Sequence, residues 1–544
     1  MYAKIVRLAN LFSFKFKLLA IIILLLTILT MLLEMVSISL IVPLTSSILD
    51  NLNSENNSLI NNVVYFLFEN LGFNDLFTFC LILFAVFFIF RVLLNLILQI
   101  ANIYFSFKVY QFLTSEVLKI YLNHDWSFFI KKNTAEIMRD ILSETGVFRS
   151  SIILPLMTLV SEFIILVGIL TLLLIYDTKF TLLCLLIFLF VGIIYRLLFK
   201  KKLNELANNR QLYSTKVNKN ILETFKLIKE VKLSFKENFF YNIFNKNNSN
   251  YIKTNFSYNF ISLIPRYFFE LLILLVFSVL LFFKNINETN MSVIIPSLSL
   301  YFLAALRVMP SIVKILRSFQ SIDWGVNSVD ILFNLIKSSD YKKSIDLSKN
   351  IKKMSFENKI QLKDLSFSFE EKDIIKNLNQ EIIKNEIIGI VGKSGSGKTT
   401  LINIIMGFLY PSKGKILVDN KDILENLNGW RKNIFLVQQE NIILDDTIKN
   451  NITFNLEENK IDQEKYNMAI KNSNLENYIN QLPDKDNTIT GENGIQISGG
   501  QKQRLSIARA LYYDPEILIL DEFTSALDSI TEKEILETLK RLKK

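Results

Sequence analysis

The stretch Gly392 to Thr399 reads GKSGSGKT, a full match to the pattern GxxxxGK[ST]. Glycines at Gly392, Gly395 and Gly397 free the backbone N–H groups of a loop, completed by Lys393, Ser394 and Ser396, to wrap the β- and γ-phosphates of a nucleotide. Lys398 is placed to reach phosphate, the hydroxyl of Thr399 to reach Mg²⁺, and Thr400 follows in the same turn. Further on, the apolar run Ile517 to Leu520 reads as a fully buried parallel strand that ends in Asp521 and Glu522 at its carboxyl edge, where ligands bind. There Asp521 can hold Mg²⁺ and Glu522 can orient or deprotonate an attacking water. Between the two, Ser498, Gly499, Gly500 and Gln501 open a helix whose backbone donors and dipole can grip a γ-phosphate. One such motif could be an accidental glycine turn or a pair of solvated acids. Three in this order point to ATP binding and hydrolysis.

The order GKSGSGKT, ISGGQ, ILILDE and then TSALD at Thr524 to Asp528 resembles the ATP-binding cassette transporter family, and the resemblance covers most of the chain from Ile360 onward. It implies an α/β phosphate-loop domain over residues 359–544, with ATP and Mg²⁺ as its ligands. It also implies that the ISGGQ element of one cassette closes over ATP held by another, so that a chain with a single cassette works as a homodimer. By the same resemblance Phe369 takes the aromatic position that stacks on adenine, although a core strand aromatic would look the same in sequence. Gln439 matches the glutamine that senses Mg²⁺, and it joins Lys398 and Glu522 as the catalytic set. Asp528 matches the loop that crosses the dimer. The family carries a histidine after the strand that follows Asp521 and Glu522, whereas the single histidine here is His124, far upstream. The cassette is therefore expected to be C-terminally incomplete in this sequence.

The elements ahead of this domain have another character. With 544 residues, 51% of them hydrophobic, the chain is too apolar for an ordinary soluble enzyme. A membrane span needs roughly 20 apolar residues to cross about 30 Å of hydrocarbon. Candidates are Leu18 to Leu44, Leu76 to Ile103, Ile152 to Tyr176, Phe180 to Phe199, Phe260 to Phe283 and Met291 to Leu316. The expectation is an all-α transmembrane domain of six helices over residues 1–336, similar to the type I exporters of the family, and a polar linker over 337–358. Lys4, Arg7, Lys15 and Lys17 precede the first span, while Asp50 to Asp75 holds acids and no lysine or arginine, so the amino terminus lies inside. The later basic segments keep the cassette on the cytoplasmic side of an inner, or plasma, membrane. The net charge of +10 sits largely on that side, which argues against a nucleic-acid partner. Cys80 and Cys184 both fall inside expected spans, so no disulfide framework is indicated. The cytoplasmic stretches between spans are expected as helical extensions with coupling helices near His124 to Lys132 and Val217 to Phe225.

Ionisable residues inside spans are costly, about 2.5–3.5 kcal/mol each at the centre of an inserted helix, so each needs a partner or a purpose. Glu34, Arg91, Glu162, Arg266, Glu270 and Arg307 are the six. They could pair internally. They could also form a path for an anionic cargo, because guanidinium forks match phosphate oxygens and stay charged. The segments LLEMVSISLIVP, FRVLLN, IPRYFFE and LRVMPS around these residues resemble bacterial lipid-linked oligosaccharide flippases of the PglK type. That resemblance implies that Arg91, Arg266 and Arg307 engage the pyrophosphate of a polyprenyl-linked glycan, and that an amphipathic helix over Leu59 to Leu71 lies at the outer surface. Other exporter cargo, such as lipid A, a peptide or a drug, and a nonhydrolysing ATP-binding channel or regulator, are the competing expectations.

Overall fold

The computed structural model describes residues 12–48, 66–70, 75–176, 178–287, 291–338, 351–369, 372–393, 395–454, 457–521 and 529–542, with Lys4, Ile5, Arg7 and Val64. The chain divides into two compact units: Met1–His124 with Lys131–Ser344, and Asp125–Ile130 with Ile345–Lys544.

The first unit is helical. Helix α1 (Phe14–Ser39) buries Ile23, Thr27, Thr30, Glu34 and Ser37, a stripe at helical spacing. Its opposite face leaves Ile21, Leu25, Leu29 and Leu32 exposed. This polar-in, apolar-out arrangement suits lipid as the solvent, since small hydroxyl residues let helices approach closely. The hydroxyls are satisfied within the helix: Thr27 donates to the Leu24 carbonyl at 2.6 Å and Thr30 to that of Thr27 at 2.8 Å.

After the short α2 (Ile41–Ile48), Asp75 caps α3 (Leu76–Leu122) by accepting from the N–H groups of Phe77 and Thr78. Forty-seven residues at the helical rise make about 70 Å, more than twice the roughly 30 Å of hydrocarbon. The helix must therefore run on beyond the membrane. A turn leads to α4 (Trp126–Lys131), within the first expected coupling segment, and to α5 (Thr134–Met138). The chain then winds through two π-helical segments, Arg139–Glu144 and Arg149–Ile153, into α6 (Leu154–Tyr176). Helices α7 (Thr178–Lys226), α8 (Glu237–Asn287) and α9 (Met291–Trp324) follow, and α10 (Val326–Ser338) closes the unit.

Among the described residues four stretches are long and apolar enough to cross a membrane: Phe14–Ser47, Leu76–Leu122, Thr134–Tyr176 and Ser299–Trp324. Helices α7 and α8 take in the fourth and fifth expected spans. Val217 to Phe225 itself continues α7, since VNKNILETF holds no glycine or proline, and the separate short helix expected near it comes just after, at Ile228–Leu233. The expected outer helix lies mostly outside the described residues.

In the second unit, β1 (Lys359–Phe369), β2 (Lys372–Ile383), β3 (Lys413–Val418) and β4 (Lys421–Asp422) form an antiparallel sheet in the order β2-β1-β3-β4. Its inner face, including Ile360, Leu362, Leu365 and Val418, packs on Ile404, Ile405 and the fully buried Trp430. Met354 and Phe356, from the segment expected as linker, are buried in this same core. A second, parallel sheet pairs β5 (Ile434–Val437) with β6 (Ile517–Leu520).

The parallel pairing matches the sequence reading, but full burial of Ile517 to Leu520 does not hold: all four are half-buried. One strand flanks β6 among the described residues, and the apolar segment 386–391, which could have covered its other edge, runs without strand pairing.

Trp430 ties the sheet to the site, for its indole N–H donates at 2.7 Å to the carbonyl of Ile405, at the end of the helix that starts in the phosphate loop. Trp430→Phe keeps most of the buried volume and strands that carbonyl. A loss of about 1–3 kcal/mol in cassette stability is expected, read as a lowered melting temperature.

Candidate functional site

Helix α11 (Lys398–Ile405) begins on the lysine of the GKSGSGKT loop, and its N-cap is Gly397 at φ 93°. Gly395 also stands in the left-handed region, at φ 77°. Any other residue at Gly397 would be strained, and its Cβ would come to 2.7 Å from the Ile374 side chain. The Lys398 ammonium folds back over the loop and donates to the carbonyls of Gly392 at 2.7 Å and Lys393 at 3.2 Å. A cation and a helix N-terminus thus meet at this loop, with Thr399 next in the chain. That donor set fits the phosphates of a nucleotide. Thr399 is exposed, Thr400 is half-buried and Ser394 lies outside the described residues.

The other site residues arrive on strand ends. Asp521 follows β6, half-buried, with its N–H donating to the Val437 carbonyl at 3.0 Å. Gln439 stands exposed just beyond β5, the strand paired with β6. Phe369 ends β1 and is 43% exposed. This is the setting of a ring open to a stacking partner rather than of a core aromatic. Glu522 and Asp528 lie outside the described residues.

Helix α13 (Gly499–Tyr512), which follows α12 (Ile448–Thr453), is capped by Ser498. The Ser498 hydroxyl accepts from the N–H of Gln501, and the Gln501 side-chain oxygen, Oε1, accepts from the N–H of Ser498 at 2.8 Å. This reciprocal cap sets the angle at which Gly499 and Gly500 present their donors.

Sequence reading missed what holds this helix in place. Arg509 is buried and donates to the carbonyl of Asn451 at 2.7 Å, to that of Ile442 at 3.2 Å and to the Asn451 side chain at 3.1 Å. Asn451, fully buried, donates in turn to the carbonyls of Leu444 and Thr447, each at 3.0 Å. The pair therefore stitches α13 to the segment that leaves Gln439. Burial lowers the pKa of Arg509, yet a guanidinium stays charged, so its carbonyl partners are required. The available signal was an arginine between two alanines on the apolar face of IARAL.

Comparison with known proteins bears on the whole chain. The family model described as ABC transporter matches residues 375–525, and the one described as ABC transporter transmembrane region matches 20–306, more than half of the chain. The chain belongs to the ABC transporter family. The transporter is 28% identical over 443 residues to an ATP-dependent lipid A-core flippase of Francisella tularensis subsp. holarctica, covering 80% of this chain and 71% of that one. It is 38% identical over 229 residues to ABC transporter B family member 29, chloroplastic, of Arabidopsis thaliana, covering 42% and 36%. The solved structure of a bacterial Atm1-family ABC exporter with ATP bound shares its fold, with a TM-score of 0.78 at 19% identity over 96% of this chain and 89% of that one. The transporter is thus a multi-pass membrane protein with an ATPase cassette.

In its helical unit the transporter brings together two of the three expected cargo arginines. Glu34 on α1 is fully buried and accepts from Arg307 Nε on α9 at 2.7 and 2.8 Å. It lies 3.2 Å from Arg91 Nε on α3 and accepts from Asn95 at 2.9 Å. Arg307 also reaches Glu162 on α6 at 3.4 Å, and Glu162 accepts from Ser311 and from Lys314. Arg266 does not join: it is exposed on α8, 5.9 Å from the ring of Tyr267, and Glu270 is exposed one turn on.

Two outcomes follow. Arg509→Met should lower transporter stability by about 3 kcal/mol and reduce ATP turnover more than nucleotide affinity, measured by thermal unfolding and by separate kcat and Kd determinations. Glu34→Ala takes from Arg91 its carboxylate partner and leaves Arg307 with Glu162 alone, and should cost about 3 kcal/mol, whereas Glu34→Asp should retain most of the stability in the same melt.

Proposed function

We propose that the transporter is a homodimeric half-transporter of the inner, or plasma, membrane that uses Mg²⁺ and ATP to move a lipid-linked oligosaccharide on a polyprenyl pyrophosphate from the cytoplasmic to the outer leaflet. The amino terminus and cassette are cytoplasmic in this reading, as the charge asymmetry around the first span requires. Lys398 and the loop around it bind the phosphates, Phe369 stacks on the base, and Thr399, Asp521 and Gln439 hold the metal. Glu522 takes the proton of the attacking water. The capped helix α13 presents Ser498, Gly499 and Gly500 to the nucleotide of the second cassette. ATP supplies the free energy of closure and of its own hydrolysis; the chain supplies position and donors.

The observation that carries the cargo assignment is the charge surplus around Glu34. Arg91, Arg307 and Lys314 stand against Glu34 and Glu162, so one positive charge remains in a setting where an uncompensated charge is costly. An anionic headgroup completes the balance. A shallow, open groove of about 420 Å³ runs along α3 alone, lined by Phe88, Arg91, Asn95 and Gln99, with the polar side chains spaced one turn apart. A second reading, lipid A-core cargo, is favoured by the relatives that bear that name and by arginines already satisfied by Glu34.

The test is ATP hydrolysis in nanodiscs, with and without polyprenyl-pyrophosphate oligosaccharide or lipid A-core, alongside Glu522→Gln and an Arg91→Ala/Arg307→Ala double variant. Stimulation by the pyrophosphate lipid that the double variant loses is expected. Stimulation by lipid A-core alone would replace the cargo, and hydrolysis untouched by Glu522→Gln would overturn the assignment of that residue.

A further inference from the structure

Beyond the membrane-spanning part of its helices, the first unit buries a second set of charges that neither nucleotide nor cargo binding uses. Asp140, 1% exposed, stands at the start of the first π-helical segment. One of its oxygens accepts from the Tyr121 hydroxyl at 2.6 Å and from Lys132 at 2.7 Å. The other accepts from Arg139 at 2.6 and 3.1 Å. Tyr121 lies in the last turn of α3 and Lys132 directly follows α4, so one carboxylate closes both ends of the loop that carries α4. Arg139 also donates to the Thr215 hydroxyl on α7, and one turn along, Arg210 of α7 donates to Glu144 at 3.2 Å. Asp140 and Glu144, four residues apart, share one face of the winding and are both buried. The Glu144–Arg210 pair makes one hydrogen bond and leaves Glu144 Oε1 and Arg210 Nε unmatched, so it is the softer of the two links.

The tip of the same loop belongs to the cassette unit. The Trp126 ring lies 5.9 Å from that of Phe408, three residues after the phosphate-loop helix ends, and Phe408 in turn carries the Arg431 guanidinium at 5.2 Å. We infer that the buried Asp140 cluster is a positioning joint that locks the α4 loop to α7, so that a shift of the phosphate-loop helix displaces both helical extensions together. Burial makes the joint stiff: removing the carboxylate takes from Lys132 and Arg139 the counter-charge they share, and the loop keeps the Lys132–Tyr121 hydrogen bond but loses its tie to Arg139 and so to α7.

This inference rests on the transport reading above, and its test keeps the two apart. The full chain, with both native cysteines changed to Ser and a reporter Gln99→Cys in the α3 groove, is placed in nanodiscs. Maleimide labelling is timed without nucleotide and after trapping with ATP and vanadate. The parent should change its labelling rate at least about five-fold between the two states. Asp140→Ala should keep the parent's ATPase rate while this response collapses. Glu144→Arg should weaken the response, and Glu144→Arg/Arg210→Glu should restore it, which a loss of fold would not allow. A full response in Asp140→Ala, or ATPase activity falling in step with the response, would overturn the joint. A parent that hydrolyses ATP without any response would contradict the transport reading, and the joint with it.

Discussion

A carboxylate with no exposure, set in a helix whose other face is bare leucine and isoleucine, cannot remain alone in hydrocarbon. Glu34 therefore dictates the arrangement of its neighbours. It draws Arg91 of α3 and Arg307 of α9 to one point, and Arg307 passes the charge on to Glu162 of α6. Four helices are thereby held at fixed rotation about their axes, since a turn of any one would pull a charge away from its partner. Around the ionic centre the packing is apolar: Ile38, Val42, Ile165, Ile169, Leu300 and Ala304 form the adjoining core. Dispersion supplies the bulk of the contact there, while the charges choose the register.

The cassette solves a different problem, which is to present backbone donors that water would otherwise satisfy. Left-handed glycines turn the phosphate loop, Lys398 braces it, and Trp430 anchors the far end of the helix that follows. The second set of donors, at Gly499 and Gly500, is aimed by the Ser498–Gln501 cap and held from behind by Arg509 on Asn451. Both donor sets are thus preorganised from behind, by Trp430 in one case and by Arg509 with Asn451 in the other, groups outside the proposed phosphate-binding set. That is what electrostatic stabilisation of a charged transition state requires.

Much of this was legible in the residues because it depends on local spacing. The phosphate loop, the capped helix at Ser498 and the run before Asp521 are each a few consecutive residues, and a loop or cap is fixed by its own chain. The cluster at Glu34 was legible only in part. Sequence shows that Arg91 and Arg307 are costly in a span, but their choice of Glu34, and the exclusion of Arg266, depend on helix rotation that no local pattern encodes. The same holds for Asn451 and Arg509, and for Asp140, which gathers Tyr121 and Lys132 from either side of the α4 loop besides its neighbour Arg139. The half-burial of Ile517 to Leu520 is the clearest miss: an apolar run reports the burial a strand can accept, not the number of neighbours that flank it.

The measurement that bears most directly on the account is movement of cargo itself. Proteoliposomes containing the transporter and a fluorescent polyprenyl-pyrophosphate glycan would be given Mg²⁺ and ATP on the cassette side, and the glycan exposed on the opposite leaflet followed with an impermeant quencher. The account predicts ATP-dependent transfer that vanishes in Lys398→Ala. Steady ATP consumption with no transfer of this lipid would contradict it.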